Sequence, residues 1–134
     1  MNDTTKFRYV GKSVNRVEDQ RLLVGAGKFV DDVSLPGMTH MAILRSPHAH
    51  ARIKAIDLSA AKRMPGIIDV FAAGDIKIDM PEIPLRLAPF EGFEKFLQKP
   101  IAVDKVRYVG EPIAVIIAEN RYLAEDALAE ITLD

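Results

Sequence analysis

The sequence VRYVGEPIAVIIAENRYLAEDALAEI, Val106 to Ile131, has the most regular pattern of the chain. Strand-forming residues at 106–109 precede a Gly-Glu-Pro turn, and the nearly continuous apolar run 113–119 then predicts a strand covered on both faces. Asn120 is a suitable N-cap for an amphipathic helix over 121–131. The apolar stripe of that helix consists of Leu123, Ala124, Ala127, Leu128 and Ile131. The stretch therefore predicts a strand, a turn, a buried strand and a helix.

Upstream of this stretch, shorter patterns predict the remaining elements. Further strands are expected at residues 28–32, 39–45, 51–58 and 66–73, and the terminal residues 132–134 look like the start of another. The strands at 39–45 and 51–58 are expected to pair with each other. Ser59 is a good N-cap for a short helix over residues 60–64 that Pro65 and Gly66 end. The Pro-Gly pair in residues 35–38 favours a turn.

The mixed order of these elements, with more strands than helices, predicts an α+β domain of mixed strands with two main helices packed on them. A chain of 134 residues, 49% hydrophobic, fits one core. Residues 1–9 carry no pattern and are expected to be flexible, so the domain is predicted at 10–134. Residues 79–100 hold four of the eight prolines and three of the six phenylalanines, which predicts a long irregular loop with one short helix at 90–97.

Composition excludes several classes of function. The formal net charge is -1 and basic residues are scattered among acids, so a nucleic-acid or anionic-membrane partner is not indicated. The chain contains no cysteine, which excludes disulfides, cysteine-bound zinc or iron–sulfur clusters, and thiol catalysis by this chain. No stretch approaches the roughly 20 apolar residues of a membrane span, and the polar N-terminus makes the cytoplasm the expected location.

The motif RSPHAHARI, residues 45–53, holds two of the three histidines and two arginines. His48 and His50 would share one face of a strand, as in some metal sites, but His40 is the only other histidine and no carboxylates are grouped nearby. The favoured interpretation is that the histidines fix a turn through hydrogen bonds to the backbone or pack at an interface. No metal site is therefore predicted.

The two arginines of this motif, Arg45 and Arg52, have two interpretations. Guanidinium groups match carboxylates and phosphates, so they could clamp an anion or a carboxylate of a partner. The favoured alternative is an ion pair inside the domain with a carboxylate such as Asp57 or Glu111.

Other chemical candidates are weaker still. Glu18 and Asp19, and likewise Asp31 and Asp32, are adjacent acids, but neighbouring strand residues point to opposite faces, so turn or solvent positions are expected. Gly25 and Gly27 do not make a phosphate loop, because three glycines between a strand and a helix are needed. No residue is assigned a catalytic, cofactor-binding or metal-binding role. The phenylalanines of residues 79–100 could line an apolar pocket, dock on a partner or pack on the core.

Three segments together resemble one family. They are RVEDQRLLVGAGKFVDDVSLPGMTHMAILRSPHAHARIKAIDLSAA (16–61), MPGIIDVFAAGDI (64–76) and KVRYVGEPIAVIIAENRYLAEDALAEI (105–131). In order and spacing they resemble the α/β hammerhead domain at the N-terminus of the large subunit of molybdenum hydroxylases, the relatives of xanthine dehydrogenase, aldehyde oxidase and carbon monoxide dehydrogenase. Residues 1–10 and 79–100 lie outside the resemblance.

The resemblance implies a fragment of a larger oxidoreductase subunit that does not catalyse alone. Members hydroxylate substrates such as an aldehyde, an N-heterocycle or CO with water as the oxygen source. They use a molybdenum–pterin centre, with [2Fe–2S] clusters and FAD on other domains or subunits. The implied partners are the remaining domains of the large subunit and the iron–sulfur and flavin subunits. Residues 79–100 would border the substrate channel, and Gly110-Glu111-Pro112 would be an architectural corner. The alternative is a free-standing binding protein that uses the 79–100 loop.

Overall fold

The computed structural model describes residues 8–85 and 91–134. Of the described residues, 8–36 belong to one compact unit, and 37–85 and 91–134 belong to a second. Most of the predicted flexible start and part of the predicted helix at 90–97 lie outside the described residues. The helices, in chain order, are α1 (Asp19–Leu23), α2 (Ser59–Lys62) and α3 (Arg121–Asp126). The strands are β1 (His40–Arg45), β2 (Ala51–Arg52), β3 (Ile56–Asp57), β4 (Ile67–Ala72), β5 (Lys105–Val106), β6 (Pro112–Ala118) and β7 (Thr132–Leu133).

The first unit differs from the prediction at residues 28–32. Instead of a strand, Val30–Asp32 form a single 3₁₀ turn. The carboxylate of Asp32 accepts a hydrogen bond from the backbone N–H of Phe29 at 2.9 Å, and this local bond closes the turn. The short helix α1, which the sequence analysis missed, carries an exposed ion pair between Arg21 and Glu18 at 2.9 Å. Neither element buries a residue.

The second unit is built on an antiparallel sheet with the strand order β1-β6-β4. Strand β6 lies in the centre, and most of its side chains are buried, as the apolar run predicted. Helices α2 and α3 pack on one face of this sheet, where Ala61, Ala124 and Ala127 are fully buried. Such small side chains let helix and sheet approach closely. The mixed helices and antiparallel strands confirm the predicted α+β class.

The predicted pairing between residues 39–45 and 51–58 is wrong. Strand β1 pairs with β6, and the segment 51–58 breaks into β2, which pairs with β5, and β3, which pairs with β7. The backbone changes partner between adjacent residues: Ile53 donates to the carbonyl of Asp104 at 3.0 Å, and Lys54 donates to that of Asp134 at 2.8 Å. The long apolar strand β6 offers β1 more buried contact than a neighbouring two-residue strand could.

Helix ends also refine the predictions. Asn120 caps α3 as predicted, because its side chain accepts the N–H of Leu123 at 3.0 Å, although α3 ends at Asp126 and continues as a 3₁₀ turn over Ala127–Glu130. Ser59 is not the N-cap of α2 but its first residue, and the carboxylate of Asp57 accepts its N–H at 2.9 Å. Within residues 8–85 and 91–134, every helix is too short to cross a membrane.

Candidate functional site

Two turns, at residues 45–48 and 108–111, are joined at one end of the central sheet. Strand β1 ends at Arg45 and β6 begins at Pro112, with a register irregularity between Leu44 and Arg45. The backbone N–H of Ser46 donates to the carbonyl of Glu111 at 2.9 Å, and the N–H of Gly110 donates to the carbonyl of Ser46 at 2.8 Å. We call the bonded pair of turns the corner. The corner connects the histidine motif to the Gly-Glu-Pro turn.

Gly110 has the backbone conformation that the corner requires. Its φ is 92°, in the region that side-chain-bearing residues rarely adopt. The guanidinium of Arg45 donates to the Gly110 carbonyl at 2.9 Å, so the motif arginine clamps the turn itself. This differs from the expected ion pair with Asp57 or Glu111. Asp57 accepts the N–H of Ser59, and the carboxylate of Glu111 faces Arg107.

The side chain of Ser46 holds the histidine turn. Ser46 is 3% exposed, and its hydroxyl donates to the carbonyl of His48 at 2.8 Å and accepts the His48 N–H at 3.0 Å. The hydroxyl of Ser46 and the backbone of His48 therefore hold this turn, a role that was expected of the histidine side chains. The signal available in the sequence was Ser-Pro-His itself, because a serine two residues before a backbone N–H is typical of such turns.

His48 and His50 line separate cavities and do not share one site. His48 lines a cavity of about 290 Å³ together with Arg52 and Ile113, whereas His50 lines a different concavity beside Lys95 and Lys105. His40 begins strand β1, at the opposite end of that strand from the corner. In the described part of the chain, three or more His, Asp or Glu side chains do not gather in a group that could hold a metal ion.

Glu111, expected as part of a turn or as an ion-pair partner of the motif arginines, is a buried carboxylate with a different partner. It is 1% exposed, its carboxylate accepts the backbone N–H of Arg107, and it lies 3.7 Å from the Arg107 guanidinium. Burial of a carboxylate is costly unless such donors compensate for lost water. Arg107 also reaches Asp104 at 3.5 Å and the carbonyl of Lys105 at 3.0 Å. One guanidinium thus ties the corner to β5.

The base of the 79–100 loop lies beside this buried carboxylate. The two limbs of the loop are joined by a backbone hydrogen bond from Ile83 to Gln98 at 2.9 Å, and by an ion pair between Lys99 and Asp79 at 3.6 Å. A cavity of about 200 Å³ opens between the loop base and the corner. Its polar lining consists of Glu82, Gln98, Lys99, Asp104, Arg107 and Glu111. In its described residues, 79–85 and 91–100, the loop is therefore irregular apart from a single 3₁₀ turn at Glu94–Phe96, and it is anchored at its base.

The remaining acidic candidates have local roles. Arg21 binds Glu18, and Arg16 lies 3.5 Å from Asp19, both within or beside α1. Asp32 closes the 3₁₀ turn that contains Asp31. Gly25 has a φ of 72° and follows α1, so neither it nor Gly27 stands between a strand and a helix.

Comparison with known proteins identifies the family. Residues 24–134 match the family "Aldehyde oxidase and xanthine dehydrogenase, a/b hammerhead domain", and the chain belongs to it. The chain is 43% identical over 125 residues to the nicotine 6-hydroxylase large subunit of Paenarthrobacter nicotinovorans, covering 93% of this chain and 15% of that protein. It is 32% identical to the nicotinate dehydrogenase large molybdopterin subunit of Eubacterium barkeri, covering 96% of this chain and 28% of that one.

A solved structure agrees with these sequence relationships. Reconstituted CO dehydrogenase from Oligotropha carboxidovorans superposes with a TM-score of 0.79 and 39% identity, over 92% of this chain and 15% of that chain. The resemblance to this family is confirmed. The chain spans about a seventh of the large subunit of nicotine 6-hydroxylase and of the large chain of CO dehydrogenase that it matches.

Proposed function

We propose that the chain is a structural N-terminal module of the molybdopterin-binding large subunit of a molybdenum hydroxylase. The observation that carries this proposal is the hammerhead fold itself, shared over 92% of this chain with CO dehydrogenase but over only 15% of that chain. The parent reaction would be hydroxylation of an aldehyde, an N-heterocycle, CO or a similar substrate, with water as the oxygen source. The chain would be a structural domain of that enzyme, which would be located in the cytoplasm.

The residues described here do not fit the parent's cofactors. The sequence has no cysteine with which to ligate a [2Fe–2S] cluster, and the corner's one buried carboxylate is already bound by Arg107. Molybdenum–pterin, [2Fe–2S] clusters and FAD would therefore be held by other domains or subunits, which are the proposed partners. The anchored loop at residues 79–100 would border the substrate entrance, with Phe93 and Phe96 in edge-to-face contact at 5.7 Å.

Exposed apolar residues on the central sheet support a module that packs against further protein. Met41 is 64% exposed and alternates along β1 with Ala42, which packs in the helix-covered core, so Met41 lies on the face of the sheet opposite to α2 and α3. Ile68 is 55% exposed and lies at the register irregularity of β4 between Ile67 and Asp69. Exposed apolar surface of this kind is typical of an interface.

The decisive test is the coding sequence beyond Asp134. We expect it to continue into the rest of a large subunit, whereas a stop codon there would support the alternative of a free-standing binding protein that uses the 79–100 loop. The purified 134-residue chain should contain neither molybdenum nor pterin by elemental analysis and pterin fluorescence. Stoichiometric molybdenum or pterin would overturn the proposed structural role.

A second test addresses the exposed sheet face. The isolated chain should bind an apolar fluorescent dye and self-associate weakly, and the double variant M41S/I68T should bind less dye. The matched control is Ile78→Thr, because Ile78 is also exposed but lies outside the sheet. A protein that stays monomeric at high concentration and does not bind the dye would contradict the proposal that this face packs against further protein.

A further inference from the structure

A concave surface beside the corner collects positive charge. A cavity of about 450 Å³ is lined by the cationic or titratable side chains of His50, Lys95, Lys105 and Arg107, and by the aromatic rings of Phe96 and Tyr108. The remaining lining residue is the neutral Gln98, so within the described part of the chain no carboxylate lines this surface. The whole chain has a net charge of -1, which makes the local excess of cations notable. We call these residues the basic concavity.

The cations of the basic concavity are not equally available. Arg107 is engaged by Glu111 at 3.7 Å and by Asp104 at 3.5 Å. Lys95 lies over the ring of Phe96 at 5.2 Å, and among residues 8–85 and 91–134 neither Lys95 nor Lys105 has a carboxylate within ion-pair distance. The two lysines therefore supply the uncompensated charge.

The aromatic rings of the basic concavity are open to contact. Phe96 is 65% exposed and Tyr108 is 43% exposed, although burial of an aromatic ring away from water contributes a large favourable free energy. Exposed aromatic side chains are enriched at protein–protein contacts. An occupant that fits must therefore carry negative charge and also present apolar or aromatic groups.

We propose that the basic concavity binds an acidic polypeptide segment that carries aromatic or apolar side chains. Its cations come from two separate segments, at residues 95 and 105–107, so the positive charge is spread rather than focused on one point. Every cationic group there is exposed or half-buried, whereas a site for a small anion normally surrounds it with desolvated donors. Distributed positive charge and exposed aromatic rings fit an extended polypeptide segment. The proposal rests on these residues and not on the activity of the parent enzyme.

The test measures binding of the 134-residue chain to a fluorescein-labelled random copolymer of glutamate and tyrosine, by fluorescence anisotropy at low salt. The double variant K95Q/K105Q should bind about five-fold more weakly, as expected for the loss of two exposed charge contacts. The matched control K62Q/K77Q removes the same charge from two exposed lysines of the same unit that do not line the concavity, and it should bind like the parent chain. Circular dichroism and thermal melting show whether each variant remains folded.

Three further arms decide the kind of occupant. The variant Phe96→Ala should lose the preference for the glutamate–tyrosine copolymer over polyglutamate, and a lysine–tyrosine copolymer should not bind. Equal weakening by K95Q/K105Q and K62Q/K77Q would overturn the proposal, because binding would then follow net charge alone. Displacement of the copolymer by inorganic phosphate, beyond the effect of sodium chloride at equal ionic strength, would identify a small-anion site and also overturn it.

Discussion

The backbone N–H of Ser46 donates to the carbonyl of Glu111 at 2.9 Å, and these two are the polar residues that the described part of the chain buries. One belongs to the histidine motif and the other to the Gly-Glu-Pro turn, more than sixty residues later. Each uses its side chain to hold its own turn, Ser46 through His48 and Glu111 through Arg107. The corner therefore depends on the buried side chains of Ser46 and Glu111.

Replacement of Glu111 should destabilise the domain strongly. Glu111→Ala leaves the backbone N–H of Arg107 without its acceptor and removes a buried, charge-assisted hydrogen bond, so we expect the free energy of unfolding to fall by about 2–3 kcal/mol. Glu111→Gln keeps an acceptor oxygen and should cost about half as much. The control Glu125→Ala breaks an exposed pair with Arg121 and should cost less than about 0.5 kcal/mol. Urea unfolding measures all three, and equal losses at 111 and 125 would refute a structural role for the buried carboxylate.

Ser46 should matter more to stability than the two histidines that follow it. Ser46→Ala removes both hydroxyl bonds to His48 from a buried position, with an expected cost of about 1–2 kcal/mol. The double variant H48A/H50A keeps the backbone bonds and changes exposed rings, so its cost should stay within about 0.5 kcal/mol. Urea unfolding compares the two. Metal content should be at background in the parent chain and the variants, and bound metal that disappears with the histidines would restore the metal interpretation.

Gly66 should not tolerate a side chain. Its φ is 79°, and an added Cβ would lie 2.5 Å from a methyl carbon of Leu123 on α3. Gly66→Ala should therefore lower the free energy of unfolding by about 1–3 kcal/mol. Gly74→Ala is the matched control, because no atom lies within 4 Å of its added Cβ and its φ is outside the positive region. Thermal melting of both variants tests this, and similar melting temperatures would contradict the close approach of α3.

The contribution of Asp57 to stability should depend on pH. The hydrogen bonds from the Ser59 backbone and side chain, together with the charge of Arg63, hold the pKa of the Asp57 carboxyl below its usual value. A lowered pKa in the folded state means that the stabilisation is present above the unfolded-state pKa and is lost as pH falls through the folded value.

The variants Asp57→Ala and Asp57→Asn test this dependence. Asp57→Ala should be less stable than the parent chain at neutral pH, and the difference should shrink in acid because protonation removes the charge of the Asp57 carboxylate that accepts the Ser59 N–H. Asp57→Asn retains an acceptor for the Ser59 N–H and should keep part of the stability without that pH dependence. Urea unfolding from neutral to acidic pH measures it, and a gap that stays constant down to the lowest pH would be the contrary result.

Local patterns in the sequence were sufficient for the elements that bury the most apolar side chains. The run at 113–119 predicted the buried strand β6, and Asn120 with its apolar stripe predicted α3, because periodicity and capping are properties of neighbouring residues. The α+β class and the family resemblance followed from the order of such segments. The strand predicted at residues 28–32 was wrong, because the Asp32 carboxylate accepts a hydrogen bond from the backbone N–H of Phe29 and closes a turn where the composition favoured a strand.

Tertiary structure alone decided how these elements meet. Strand β1 pairs with β6 and not with its neighbour in sequence, because a long buried strand offers more apolar contact. Residues 51–58 form two short strands, β2 and β3, which pair with β5 and β7 respectively. The partners of Arg45 and Glu111, and the separation of His48 from His50 into different cavities, likewise depend on residues distant in the chain. The sequence thus determined the strand and the helix with the most regular apolar patterns, β6 and α3, since those patterns are local, while pairing and site geometry required the folded backbone.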